Sequence, residues 1–247
     1  MLHDHRAHGE AVARISWCIS EQAIGVISGE CGAGKTVAAR AAVAGLDASR
    51  HTVVYLGAPG VGLRGIYATI VTALGGVPRF HHATLIPQAQ ELLAAESAER
   101  GKRVVLICDE AHLLDAQSLE GIRCLSNTGM DQTAPFCLLL LGQPTLRRRL
   151  RQGTFTALDQ RVGVRYAIAG LDHAETNSYM QHHLALAGRS DTLFSDDAVS
   201  LIADVSRGLP RQVNNLAVQS LIAAFAAKKA IVDESAARVA VAEVSAE

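Results

Sequence analysis

Aromatic side chains are scarce in this chain: Phe, Trp and Tyr make up 4% of its 247 residues, while hydrophobic residues as a whole make up 49%. A sizeable core must therefore be built mainly from Ala, Val, Leu and Ile. Long apolar runs are absent, with no stretch approaching the ~18 residues of a membrane span. The polar start, Met1-Leu2-His3-Asp4-His5-Arg6, lacks the apolar segment of a signal peptide. Cys18, Cys31, Cys108, Cys124 and Cys137 are odd in number, scattered and without a C-x-x-C pair. That argues against a disulfide framework or a cysteine zinc site. Formal net charge is −1, so no general basic field draws the chain to nucleic acid or membrane; such a contact needs a local patch. These absences predict a soluble, cytoplasmic protein with no membrane partner.

What is present starts at Gly29-Glu30-Cys31-Gly32-Ala33-Gly34-Lys35-Thr36, which fits the phosphate-binding pattern G-x-x-x-x-G-K-[ST]. The apolar run Ala23–Ser28 before it reads as a buried strand, and the Ala-rich run from Val37 to Ala44 as a helix. Glycines let the loop curl its N–H groups onto phosphate oxygens, and the helix adds its positive N-terminal end. Lys35 is then the candidate for the β- and γ-phosphates and the Thr36 hydroxyl for magnesium. The pattern implies ATP-type nucleotide binding by residues 29–37.

Arg103–Glu110 carries the second signal: an apolar strand running into Asp109-Glu110. Asp109 is the candidate for the magnesium hydration shell opposite Thr36, and Glu110 for the proton of an attacking water. Phe136–Leu141 is another buried strand, ending at Gly142-Gln143-Pro144. A polar residue at that tip is expected between the other two strands, which makes Gln143 the candidate sensor of the attacking water. A plain turn residue is the alternative, since Pro144 demands an extended neighbour.

Other stretches are read more simply. Residues 1–22 predict a helix that packs through Val12, Ala13 and Trp17, with His3, His5 and His8 solvated at a frayed end rather than holding a metal. Gly60-Val61-Gly62-Leu63-Arg64-Gly65 sits in a segment that matches G-x-G-x-x-G, but it follows the second strand, Thr52–Leu56, and lacks the acidic residue of a dinucleotide fold. It reads as a loop before a helix over 66–74. Pro87 to Arg100 reads as an amphipathic helix with Leu92 and Leu93 inward and charges outward. Arg64 and the run Arg147-Arg148-Arg149-Leu150-Arg151 are candidate polyanion contacts; a solvated face is the alternative for each. After a last strand, Val164–Ile168, only helices follow. Residues 1–170 are thus expected as an α/β core and 171–247 as a small helical domain.

Taken together, Gly29–Thr36, Asp109-Glu110-Ala111-His112, Leu125-Ser126-Asn127, Gly142-Gln143-Pro144, Asp159-Gln160-Arg161 and Gly208-Leu209-Pro210-Arg211 resemble an AAA+ ATPase. The detail resembles the ExeA group and its relatives TnsC, TniB, IstB and MuB. The resemblance implies a parallel-sheet αβα sandwich with a helical lid, and magnesium-dependent hydrolysis of ATP. It implies Arg211 as a second sensor contacting nucleotide, and Arg161 as an arginine finger serving a neighbouring subunit in a ring or filament. Secretion ATPases of that group usually carry a membrane span and a cell-wall-binding domain, and the expectation here is a stand-alone ATPase. The expectation drawn is a transposition helper that assembles on duplex DNA and meets a transposase. A secretion or envelope ATPase is the alternative.

Overall fold

Five hydrophobic runs become the five parallel strands of one sheet. The computed structural model describes residues 3, 5–57, 59–126 and 135–245. In chain order the first part forms α1 (Arg6–Ser20), β1 (Ile24–Ser28), α2 (Lys35–Ala44), β2 (His51–Leu56), α3 (Gly62–Ala73), α4 (His82–Ala98), β3 (Arg103–Cys108), α5 (Ala116–Leu125), β4 (Phe136–Gly142), α6 (Pro144–Leu150), α7 (Thr156–Asp159) and β5 (Val162–Ala167). Strand order is β2-β3-β4-β1-β5. Central β4 and β1 are buried along their whole lengths, as expected for parallel strands covered on both faces. Edge strand β2 alternates instead, with Val54 and Leu56 buried and Val53 and Tyr55 exposed.

The chain divides into two compact units, Glu10–Gly29 with Lys35–Ala167, and Met1–Gly9 with Glu30–Gly34 and Ile168–Glu247. The helical unit thus includes the tip of the glycine loop, which the sequence boundary at 170 leaves in the core. It contains α8 (His173–Leu186), α9 (Asp196–Ser206), α10 (Pro210–Ala226) and α11 (Glu234–Ser245). Asp172 and Glu175 form a reciprocal capping box on α8, and Ser195 caps α9. Phe194, Ile202, Val213, Leu216 and Ala237 are among its core. The segment after β5 is tied to the α9–α10 connection by Leu171 N–H donating to Gly208 O at 2.8 Å. Gly208 has φ +63, and a Cβ there would stand 1.9 Å from Leu171 O; only glycine fits.

Several expectations change. Helix α1 packs through Ala11, Ile15, Cys18 and Ile19, at helical spacing, while Trp17 is half exposed. The 3.6-residue period puts Trp17 off that stripe. Helix α3 starts at Gly62, so Arg64 is helical, and it donates to Phe80 O at 3.2 Å. Helix α4 starts at His82 and contains Pro87 in its second turn. Its charges are not all outward: buried Glu96 accepts from Thr52 and Arg100. His3 is not simply solvated. Its Nε2 lies 3.0 Å from Ser178 Oγ and its ring packs edge-on against His182 and Tyr179 of α8, while His8 is buried. Among the described residues no group of three or more His, Cys, Asp or Glu is arranged to hold a metal ion. Asn127 lies outside the described residues. No described helix is long and apolar enough to cross a membrane.

Candidate functional site

The carboxyl ends of β1, β3 and β4 are adjacent in the sheet, with β4 between the other two. The glycine loop, Asp109-Glu110 and Gln143 therefore emerge side by side, in the arrangement the sequence predicts for the sensor.

The loop joins β1 directly to α2, whose first residue is Lys35. Gly32 and Gly34 have φ +82 and +93, the left-handed region that costs other residues free energy. Lys35 is buried and its Nζ donates to Gly29 O at 2.9 Å. Thr36 Oγ1 donates to Asp109 Oδ2 at 2.7 Å, joining the loop to the tip of β3. Asp109 Oδ1 accepts from the Glu110 N–H at 2.9 Å. Glu110 adopts the left-handed conformation, φ 51 and ψ 33, sparsely populated for a non-glycine residue and often found at functional sites. The kink leaves its carboxylate part exposed while Asp109 is buried.

Two residues join this group to which the sequence assigns no role: Tyr55, outside the motifs, and His112, the last residue of the Asp109–His112 motif. Tyr55, at the end of β2, donates its phenol to Asp109 Oδ2 at 2.8 Å. Burial first, and then the bond and charge of Asp109, push that phenol up to about 12, so it keeps its proton and acts as a donor at neutral pH. His112 Nδ1 lies 3.5 Å from Glu110 Oε2 and 3.5 Å from the Gln143 N–H. It lies between the part-exposed Glu110 carboxylate and the tip of β4. Gln143 is extended, with ψ 165, as Pro144 requires, and its side chain does not cap α6.

The arginine run splits in two. Arg147, Arg148 and Arg151 are exposed, whereas Arg149 donates inward to the carbonyls of His112 and Leu114. Arg161 also bonds within its own chain, donating to Ser126 Oγ at 2.8 Å and Ser126 O at 3.1 Å.

In the helical unit, Arg211 lies against the loop tip. Its N–H points at Gly32 O at 3.5 Å and its Nη1 lies 3.3 Å from Cys31 Sγ. The same unit holds a cavity of about 600 Å³ lined by Glu30, Ile168, Gly170, Arg207, Leu209 and Gln212.

A family profile described as an AAA domain matches residues 18–150. The chain belongs to the AAA domain family. The matched span carries the glycine loop, the Asp109-Glu110 strand and Gln143. This AAA domain chain is 31% identical over 229 residues to general secretion pathway protein A of Aeromonas hydrophila, covering 91% of the chain and 41% of that protein. Among solved structures it is similar to the Aeropyrum pernix ORC2 protein in its ADP form, with TM-score 0.70, 19% identity, and 98% and 70% of the two chains covered. The Thermotoga maritima RuvB Holliday junction branch migration motor matches with TM-score 0.60, 19% identity, and 94% and 67% coverage. At these identities the two structures speak for the fold alone.

Proposed function

We propose that this chain is a magnesium-dependent ATPase that serves the assembly of a secretion or envelope complex. The observation that carries the ATPase reading is the Thr36–Asp109 hydrogen bond, which brings the glycine loop and the acidic strand tip together. Loop N–H groups and the α2 N-terminus would receive the phosphates, with Lys35 turning from Gly29 O to the β- and γ-oxygens. Thr36 and Asp109 would hold magnesium, which supplies neutralising charge to the phosphate oxygens. Glu110 would take the proton of the attacking water, and Gln143 would orient that water. Arg211, beside Gly32 and Cys31, would contact nucleotide at the loop tip. Arg161 would serve a neighbouring copy's site in a homo-oligomer after leaving Ser126.

The secretion role rests on the similarity to general secretion pathway protein A, and it replaces the transposition reading drawn from the sequence. The chain spans 41% of that relative, so what the relative does as a whole enters here as a proposal. The candidate polyanion contacts also weaken: Arg64 and Arg149 are engaged with carbonyls of their own chain. A steady-state ATP hydrolysis assay with and without duplex DNA, at low and high salt, separates the two. Turnover is expected to be indifferent to DNA. Stimulation that fades as salt rises, the signature of phosphate contacts, would restore the DNA reading.

A further inference from the structure

Tyr55 belongs to none of the nucleotide-site motifs, yet its phenol donates to the buried carboxylate of Asp109. Strand register produces the contact. Strands β2 and β3 pair in parallel with Tyr55 opposite Ile107. Asp109, two residues beyond Ile107, falls on the same side of the pleat. The Asp109 N–H, donating to Leu56 O at 2.9 Å, carries the ladder one bond further and holds that alignment. Gly57 provides the space, because a Cβ there would stand 2.7 Å from Tyr55 Cε1. The ring itself is half exposed, so burial alone does not explain its position.

Each carboxylate oxygen offers two acceptor positions. Oδ2 uses both, for Thr36 and Tyr55, and Oδ1 uses one for the Glu110 N–H. The carboxylate is thereby fixed in rotation. Thr36, as the donor, keeps the lone pairs of its oxygen for a cation. We infer that Tyr55 is a positioning residue for the metal end of the site: it holds Asp109 in the orientation in which that residue and Thr36 receive a divalent cation. The inference rests on the nucleotide-site reading above. Fixing the ligand before the metal arrives removes an ordering cost from binding.

The test uses the full chain with Mn²⁺ as the probe, titrated by electron paramagnetic resonance beside a saturating non-hydrolysable ATP analogue. Tyr55→Phe is expected to raise the half-saturating Mn²⁺ concentration about tenfold, with metal-free nucleotide binding and Tm unaltered. Gly57→Ala, which keeps the phenol but displaces the ring, is expected to move the titration the same way. A Tyr55→Phe titration that overlays the wild type, or is tighter, overturns the inference while leaving the nucleotide site standing. A wild-type chain that binds no nucleotide, with or without Mn²⁺, overturns both.

Discussion

Gly32 meets two demands at once. Its φ of +82 favours glycine, and a Cβ at that position would stand 2.6 Å from Arg211 Cβ. The cost of the left-handed conformation alone is roughly 1–2 kcal/mol, and the collision adds to it by pushing loop tip and Arg211 apart. Gly32→Ala is therefore expected to fold and to lose more than tenfold in affinity for an ATP analogue, measured by calorimetric titration. Unchanged affinity would show that the loop tip adapts. Motif spacing made Gly32, Lys35, Thr36 and Asp109 legible in the sequence, because phosphate binding ties those residue types to a local backbone path. Tyr55 was not legible as a participant, and His112 was legible only as a motif residue without a role. Tyr55 reaches Asp109 through the register of two strands far apart in the chain, and register is a property of the sheet rather than of either strand.

Helix α6 shows how one short element serves the site without touching its chemistry. Gln143 stands at its N-terminus, Leu146 and Leu150 are buried, and Arg149 holds the carbonyls of His112 and Leu114. Read as sequence, four arginines among five residues suggest a solvated or polyanion-binding face. The helical period instead turns one of them inward beside the buried leucines. Arg149→Ala leaves two carbonyls without their charged donor and is expected to destabilise by about 1–3 kcal/mol, a fall of several degrees in Tm. Arg147→Ala, on the exposed side, is expected to change Tm little. Equal melts for the two variants would contradict the division of the run. The same blindness to partners explains Trp17 and Glu96. Each sits in a helix predicted in outline, but its direction depends on which stripe the neighbouring elements cover.

At the scale of the molecule, the order β2-β3-β4-β1-β5 is what converts three separate sequence signals into one site, since it sets the Gln143 tip between the glycine loop and Asp109-Glu110. The family and the sheet were legible because the buried strands β1, β3 and β4 read as apolar runs that lead into Gly29, Asp109 and Gln143. The biological role was less so: the sequence reading leads with transposition and keeps secretion as its alternative, and the secretion-pathway relative favours that alternative. In the proposed reaction this constellation hydrolyses ATP through Glu110. Its most direct test is the hydrolysis rate of wild type and Glu110→Gln with Mg²⁺, beside their affinities for an ATP analogue. The variant is expected to lose at least a hundredfold in kcat and to retain nucleotide binding. A variant that turns over at the wild-type rate would contradict it.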